Sequence, residues 1–254
     1  MFKRVLEILS VACLTTSIAS AQSPFIGEWK LDASKTRLPD EMKVQHQGGN
    51  TFVFDVGGGA ETIVVDGTDQ PGYGGTLLSV KAEAADTWIV KRKNDGRLLL
   101  TATWKLSNDS TLMDYFRGLD ADGSTFSVDY IYRRIGGGTG FAADWQSIEE
   151  RVNSPFVMEV TAFRGDGLSF VSPLGTRSAE FPEKSHPTQS PGGARGAASS
   201  IRRVDERTLV ITGTQNGRVT VTQEIALSTD LEMLTMTVHV PGRDRPNVLV
   251  FERK

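Results

Sequence analysis

The sequence predicts an all-β protein built as two consecutive up-and-down antiparallel β-barrels of about eight strands each. Three observations carry that expectation: a tandem repeat, a period-two alternation of apolar and polar residues through both copies, and the lack of any long helical period.

The repeat is set by two tryptophans. Trp145 lies 116 residues after Trp29, and the same shift pairs Pro39 with Pro155, Val44 with Val160, Gly49 with Gly165, Phe54 with Phe170 and Pro71 with Pro187. Past Pro187 the second copy carries about five extra residues in SPGGARG, and the shift becomes 121, joining Thr87 to Thr208, Gly96 to Gly217, Leu106 to Leu227 and Asp109 to Asp230. It falls to 119 at the end, where Ile131, Tyr132 and Arg134 meet Val250, Phe251 and Arg253. Two units result, 22–135 and 141–254, joined by a glycine-rich linker at 136–140 within IGGGTG.

Ahead of the first unit, Lys3 and Arg4 precede an apolar run to Ile18 and a small-residue site, Ala19-Ser20-Ala21. This is the pattern of an export signal over 1–21, which places the mature protein in the periplasm or outside the cell. Lipid attachment at Cys13 fits less well, because Ser10 stands where such sites prefer leucine. Cys13 is the sole cysteine, so the mature chain is stabilised by buried apolar surface and sheet hydrogen bonds without disulfides. No later segment has the length of a membrane-spanning helix.

Each unit opens with a strand, Gly27-Glu28-Trp29 in the first and the region of Trp145 in the second, although Trp145–Val152 also suits a short helix. Alternation then runs through TFVFDV, TLLSVKA and TWIVKR. In RLLLTATWKL, Leu98, Leu100, Ala102, Trp104 and Leu106 share one face, as do Val219, Val221, Gln223, Ile225 and Leu227 in the copy. The turns before these strands, Asp95-Gly96 and Asn216-Gly217, have the residues of a tight hairpin with positive φ. LMDYFRGL and FSVDYIY complete the first unit. Strands with one apolar face bury it by closing into a barrel, which also removes the sheet edges.

Gly-x-Trp on the first strand, a late strand ending in Tyr or Phe and then Arg, and a Ser-x-Asp turn before the penultimate strand make each unit resemble the bacterial lipocalin-like proteins of the calycin group. The second unit departs from the pattern with Ala143 in place of Gly27. The resemblance implies that the first-strand tryptophan plugs one end of the barrel beneath an arginine of the last strand. Carried over within each unit, it places Trp29 under Arg134 and Trp145 under Arg253, a cation–π contact worth about 1 kcal/mol.

The chemistry of the chain is sparse. With 28 Lys plus Arg against 31 Asp plus Glu and a net charge of −3, no basic excess points to nucleic acid. His46, His186 and His239 lack metal-ligand spacing, and neither haem nor another cofactor is expected. Gly-x-Ser-x-Gly is absent, the glycine runs lack a phosphate loop's Lys-Ser/Thr ending, and no acid pair among Asp120, Asp122, Glu149 and Glu150 stands out. No catalytic residue is assigned.

What remains is the barrel interior. Alternation from Leu112 to Leu119 puts Met113, Tyr115, Arg117 and Leu119 on one face, leaving Arg117 as a cation among apolar residues or, with one residue of slip, pointing to water. Together with Trp104, Tyr130 and Phe54 it would hold an acid-bearing amphipathic ligand, and Gln223 is the comparable inward polar residue of the second unit. The expected function is thus an exported, non-catalytic pair of barrels that binds a small hydrophobic or amphipathic ligand. A solid-barrelled module docking an envelope protein and a barrel enzyme of the isomerase or hydrolase kind are the alternatives.

Overall fold

The computed structural model describes residues 23–56, 59–72, 75–119, 125–153, 156–172, 175–181, 186–187 and 197–254. The leader with Cys13, and the acids Asp120 and Asp122, lie outside them. The first unit forms β1 (Gly27–Leu31), β2 (Glu41–Gly48), β3 (Thr51–Asp55), β4 (Glu61–Val64), β5 (Gln70–Pro71), β6 (Leu77–Ala84), β7 (Thr87–Asn94), β8 (Arg97–Asn108), β9 (Thr111–Leu119) and β10 (Thr125–Gly136). The second forms β11 (Ala143–Val152), β12 (Val157–Phe163), β13 (Gly167–Ser172), β14 (Gly175–Ala179), β15 (His186–Pro187), β16 (Ala197–Arg203), β17 (Thr208–Gln215), β18 (Arg218–Leu227), β19 (Met233–His239) and β20 (Asn247–Arg253). The expected β class holds, and Trp145–Val152 is a strand instead of a helix. Both tight hairpins form as the sequence requires: Asp95 and Gly96 have φ of 47° and 78°, Asn216 and Gly217 of 49° and 78°.

The strands make two ten-stranded antiparallel sheets, one nearly closed into a barrel and the other a half-barrel. The first sheet runs β4-β3-β2-β11-β10-β9-β8-β7-β6-β5, and the second runs β14-β13-β12-β1-β20-β19-β18-β17-β16-β15. In the first, a parallel bridge from Val65 to Val80 ties the end of β4 toward β6, and the Gly67 N–H donates to the Val80 carbonyl at 2.9 Å. Each sheet is therefore one sequence unit with its first strand replaced by that of the other.

This exchange departs from the expectation that units 22–135 and 141–254 close separately, and its cause is the linker. Gly137 and Gly140 adopt φ of 80° and 59°, turning the chain so that β11 folds straight back on β10, with Gly136 opposite Asp144. A Cβ at Gly137 would lie 2.9 Å from the Ala143 Cα, so the turn needs its glycine. With β11 held in the first sheet, β1 occupies the matching place between β12 and β20.

The tryptophan partners change accordingly. Trp29 lies opposite Arg253 and Trp145 opposite Arg134, with the guanidinium carbons 4.1 and 4.6 Å from the indole centroids. The pairs Trp29–Arg134 and Trp145–Arg253 implied within each unit are not formed. The surroundings of the two tryptophans are built the same way twice. Trp29 Nε1 donates to the Phe25 carbonyl at 2.8 Å and Trp145 Nε1 to the Phe141 carbonyl at 3.0 Å. Arg253 donates to the carbonyls of Pro24, Ile26 and Leu231, and Arg134 to those of Gly138, Gly140 and Ala142. Gly27 makes room for this, since a Cβ there would stand 2.9 Å from Arg253 Nη1.

The two cores share a wall. Leu112, Tyr132 and Trp145 belong to the core of the first sheet, whereas Phe126 and Val128, earlier on β10, pack into that of the second; Tyr130 touches both. The loop between β19 and β20 closes the other side. Arg243 Nη1 lies 2.6 Å from Asp40 Oδ1 and a second nitrogen donates to the Val56 carbonyl, while Arg245 reaches Glu41 at 3.5 Å.

Two outcomes follow. Halves produced as separate chains split between Gly137 and Gly138 will co-purify as a one-to-one complex on size exclusion, because each holds a strand the other needs. Arg243→Ala, which strips the cation from a mostly buried carboxylate, will lower stability by about 2 kcal/mol in denaturant melts.

Candidate functional site

The first sheet curves around a partly open cavity of about 220 Å³. Its apolar lining comes from the inward faces of the strands, including Met42 on β2, Phe54 on β3, Leu78 and Val80 on β6, Val90 on β7 and Ala102 on β8. Leu100 and Trp104 extend the β8 face. On β9 the inward residues are Leu112, Asp114 and Phe116, since Leu112 pairs with Leu106, Asp114 with Trp104 and Phe116 with Ala102.

Three carboxylates line this space. Glu61 is held by both guanidinium nitrogens of Arg92, at 2.8 and 2.7 Å, and Arg92 also donates to Thr76 Oγ1 at 2.8 Å. Asp40 accepts from the Tyr132 hydroxyl at 2.7 Å and faces Arg243. Asp114 is different. It sits between Trp104 and Tyr130 across the sheet, is 7% exposed, and its Oδ1 has no hydrogen-bond partner among the described residues. The Trp104 indole nitrogen, 6% exposed, is likewise unpartnered.

Burial pushes the Asp114 carboxyl from 3.8 up to about 8. The nearby indole N–H of Trp104 opposes that rise, although the two do not meet at hydrogen-bond geometry; Asp40 and Asp129 add to it and Arg117 counters it. Asp40 is also raised by burial, against the pull of Arg243 and Tyr132. Burial raises both Tyr130 and Tyr132, so their hydroxyls stay protonated at neutral pH. At pH 7 the cavity thus presents a neutral acid, an indole donor and an apolar surround.

Of the residues singled out from the sequence, Trp104 and Phe54 line the cavity, and Tyr130 packs between the two cores. Arg117 does not: it faces away, 2.8 Å from Asp129 Oδ1, with its side chain 38% exposed. Tyr115 shares that outer face, its hydroxyl 3.7 Å from Met113 Sδ. The cause is one residue of turn length. Leu106 pairs with Leu112 in the first unit but Leu227 with Leu234 in the second, where Leu231 at φ 65° accommodates an extra residue. Carrying the shift of 121 past that turn moves every β9 side chain to the wrong face. Gln223 is buried in the second sheet, opposite Val238 and Ile211, while Val219 at the start of β18 is exposed.

Asp114, Asp40, Glu61 and Arg92 escaped the sequence reading. The Asp109-Ser110 turn pairs Asn108 with Thr111 and by itself would set Tyr115 opposite Trp104; the bulge between Leu106 and Asn108, which the sequence does not announce, shifts the register and puts Asp114 there.

Among the described residues, no group of three His, Cys, Asp or Glu side chains is placed to hold a metal ion, and no helix is long and apolar enough to cross a membrane. His46 Nε2 lies 2.8 Å from the Gly49 carbonyl and its ring packs on Phe52. No protein-family model matches the sequence, and neither a curated protein nor a solved structure matches it.

The Asp114 shift makes a signed prediction. Its folded pKa lies above its unfolded value, so the folded state holds the extra proton and stability falls as pH climbs from about 4 to 8. Asp114→Asn removes that dependence. Its melting temperature relative to the wild type will rise between pH 5 and pH 9, as read by thermal unfolding monitored by circular dichroism.

Proposed function

We propose that this is an exported, non-catalytic binding protein whose first barrel holds a small hydrophobic or amphipathic ligand, with the second barrel as its structural support. The carrying observation is the cavity itself, apolar over most of its lining and furnished with an unpartnered acid and an unpartnered indole N–H. An apolar hollow with a few convergent polar groups is the usual form of a small-molecule site. The lipocalin-like architecture suggested by the sequence supports the same reading, as does the pattern of an export signal ahead of the barrels.

Size restricts the ligand. A cavity of roughly 150 Å³ accepts benzene, so 220 Å³ suits a molecule of one ring, or two fused rings, with a short substituent. The polar groups argue for binding over chemistry: Glu61 is closed by Arg92, and Asp40 is engaged by Tyr132 and Arg243. Neither is left as a base beside Asp114.

Calorimetric titration of the wild type with indole will give saturable one-site binding. Ala102→Phe, which puts a ring into the hollow, will weaken it at least tenfold, and Leu100→Phe gives a second test should the first variant fold poorly. Absence of saturable binding to the wild type, or an unchanged affinity in a folded cavity-filling variant, overturns the reading.

A further inference from the structure

The balance of charge around the cavity indicates which ligands it prefers. Asp40, Glu61 and Asp114 all line it, and Arg92 is the only lysine or arginine among the described lining residues. Arg92 is committed through both nitrogens to Glu61 and through one of them to Thr76. Arg243 reaches Asp40 from the β19–β20 loop, and Arg117 lies on the outer face with Asp129. Two acids therefore have their cations and Asp114 has none.

A buried carboxylate without a counter-charge is costly, and a bound cation relieves that cost. An acid-bearing ligand would find no free cation on this wall, since Arg92 is committed to Glu61 and Arg243 to Asp40. Aromatic residues flank the acid: Trp104 sits opposite Asp114 on β8 and Tyr130 opposite it on β10, with Phe116 next along the β9 face. An ammonium beside Asp114 would meet its carboxylate within a hollow whose lining includes the aromatic rings of Phe54 and Phe116.

Resting on the binding reading above, we propose that the cavity takes a small amphipathic amine, its ammonium against Asp114 and its apolar body against Phe54, Leu100 and Phe116. This reverses the sign of ligand expected from the sequence, where a cation at Arg117 was to meet an acid. Asp114 is protonated at neutral pH in the free protein, so the incoming ammonium draws the carboxyl into its ionised form. The groups facing it from the neighbouring strands and loop are Trp104, Tyr130, Tyr132 and Asp40, with Arg117 and Asp129 acting through the sheet.

Three probes of one shape and different charge provide the test: 2-phenylethylamine, 2-phenylethanol and phenylacetate, titrated calorimetrically into the intact protein at pH 7. The amine is expected to bind at least tenfold more tightly than the alcohol and the acid more weakly than either. Asp114→Asn should bring the amine down to the level of the alcohol while leaving alcohol binding within about twofold. The indole N–H resonance of Trp104, identified as the one lost in Trp104→Phe, should shift on adding the amine to the wild type. Equal or tighter binding of the alcohol or phenylacetate by the wild type overturns the proposal and leaves the binding reading standing. So does an amine preference that survives in a folded Asp114→Asn variant, or a Trp104 resonance that does not respond to bound amine. Should none of the three probes bind while indole does, this proposal alone falls; should indole fail to bind as well, both conclusions fall.

Discussion

The turn between β10 and β11 is the constraint on which the architecture depends. Two glycines with positive φ bring the chain back within a few residues, and β11 pairs with the strand it has just left. Once that hairpin forms, β11 is unavailable to the second sheet, and the remaining place beside β20 is filled by β1. The connection from β1 to β2 must then cross between sheets. It is fastened on the way, with Arg37 bridged to Val248 and Asp40 held by Arg243. A local backbone preference thus decides a long-range pairing.

The same crossing segment delivers a wall of the cavity. Asp40 ends it, lines the hollow, and is held there by Tyr132 from β10 and Arg243 from the far loop. The polar groups of the first barrel are consequently not independent. Two of its acids are tied down by arginines, and this isolates Asp114 electrostatically in an otherwise apolar surround.

Much of the fold could be read from alternation and turns. The inward face of β8, the two Asx-Gly hairpins and the first-strand positions of Trp29 and Trp145 were legible because each depends on residues close in sequence. The partners of those tryptophans were not, since Trp29 and Arg253 lie on strands whose adjacency is decided by the linker. A glycine-rich segment between two similar units reads as a boundary, yet the six residues from Gly137 to Ala142, with their left-handed glycines, make a hairpin loop. The site was only half visible for a different reason. Trp104 and Phe54 sit on strands whose phase is unambiguous, whereas β9 carries a plausible pattern in either phase, with Asp114 on one face and Arg117 on the other. A single residue of difference between the two copies in the preceding turn decided between them.

The exchange of first strands has an implication for how such a chain can be assembled. One unit by itself offers a vacant sheet position and an orphan strand, and two identical free units could complete each other only by trading those strands about a twofold axis. Written as one polypeptide, the trade becomes intramolecular, and the assembly no longer depends on concentration. The covalent tandem is thus the geometry of a swapped homodimer made permanent, which leaves its halves free to differ: the first lines a hollow with acids, and the core of the second buries Leu209, Ile211, Ile225 and Leu234.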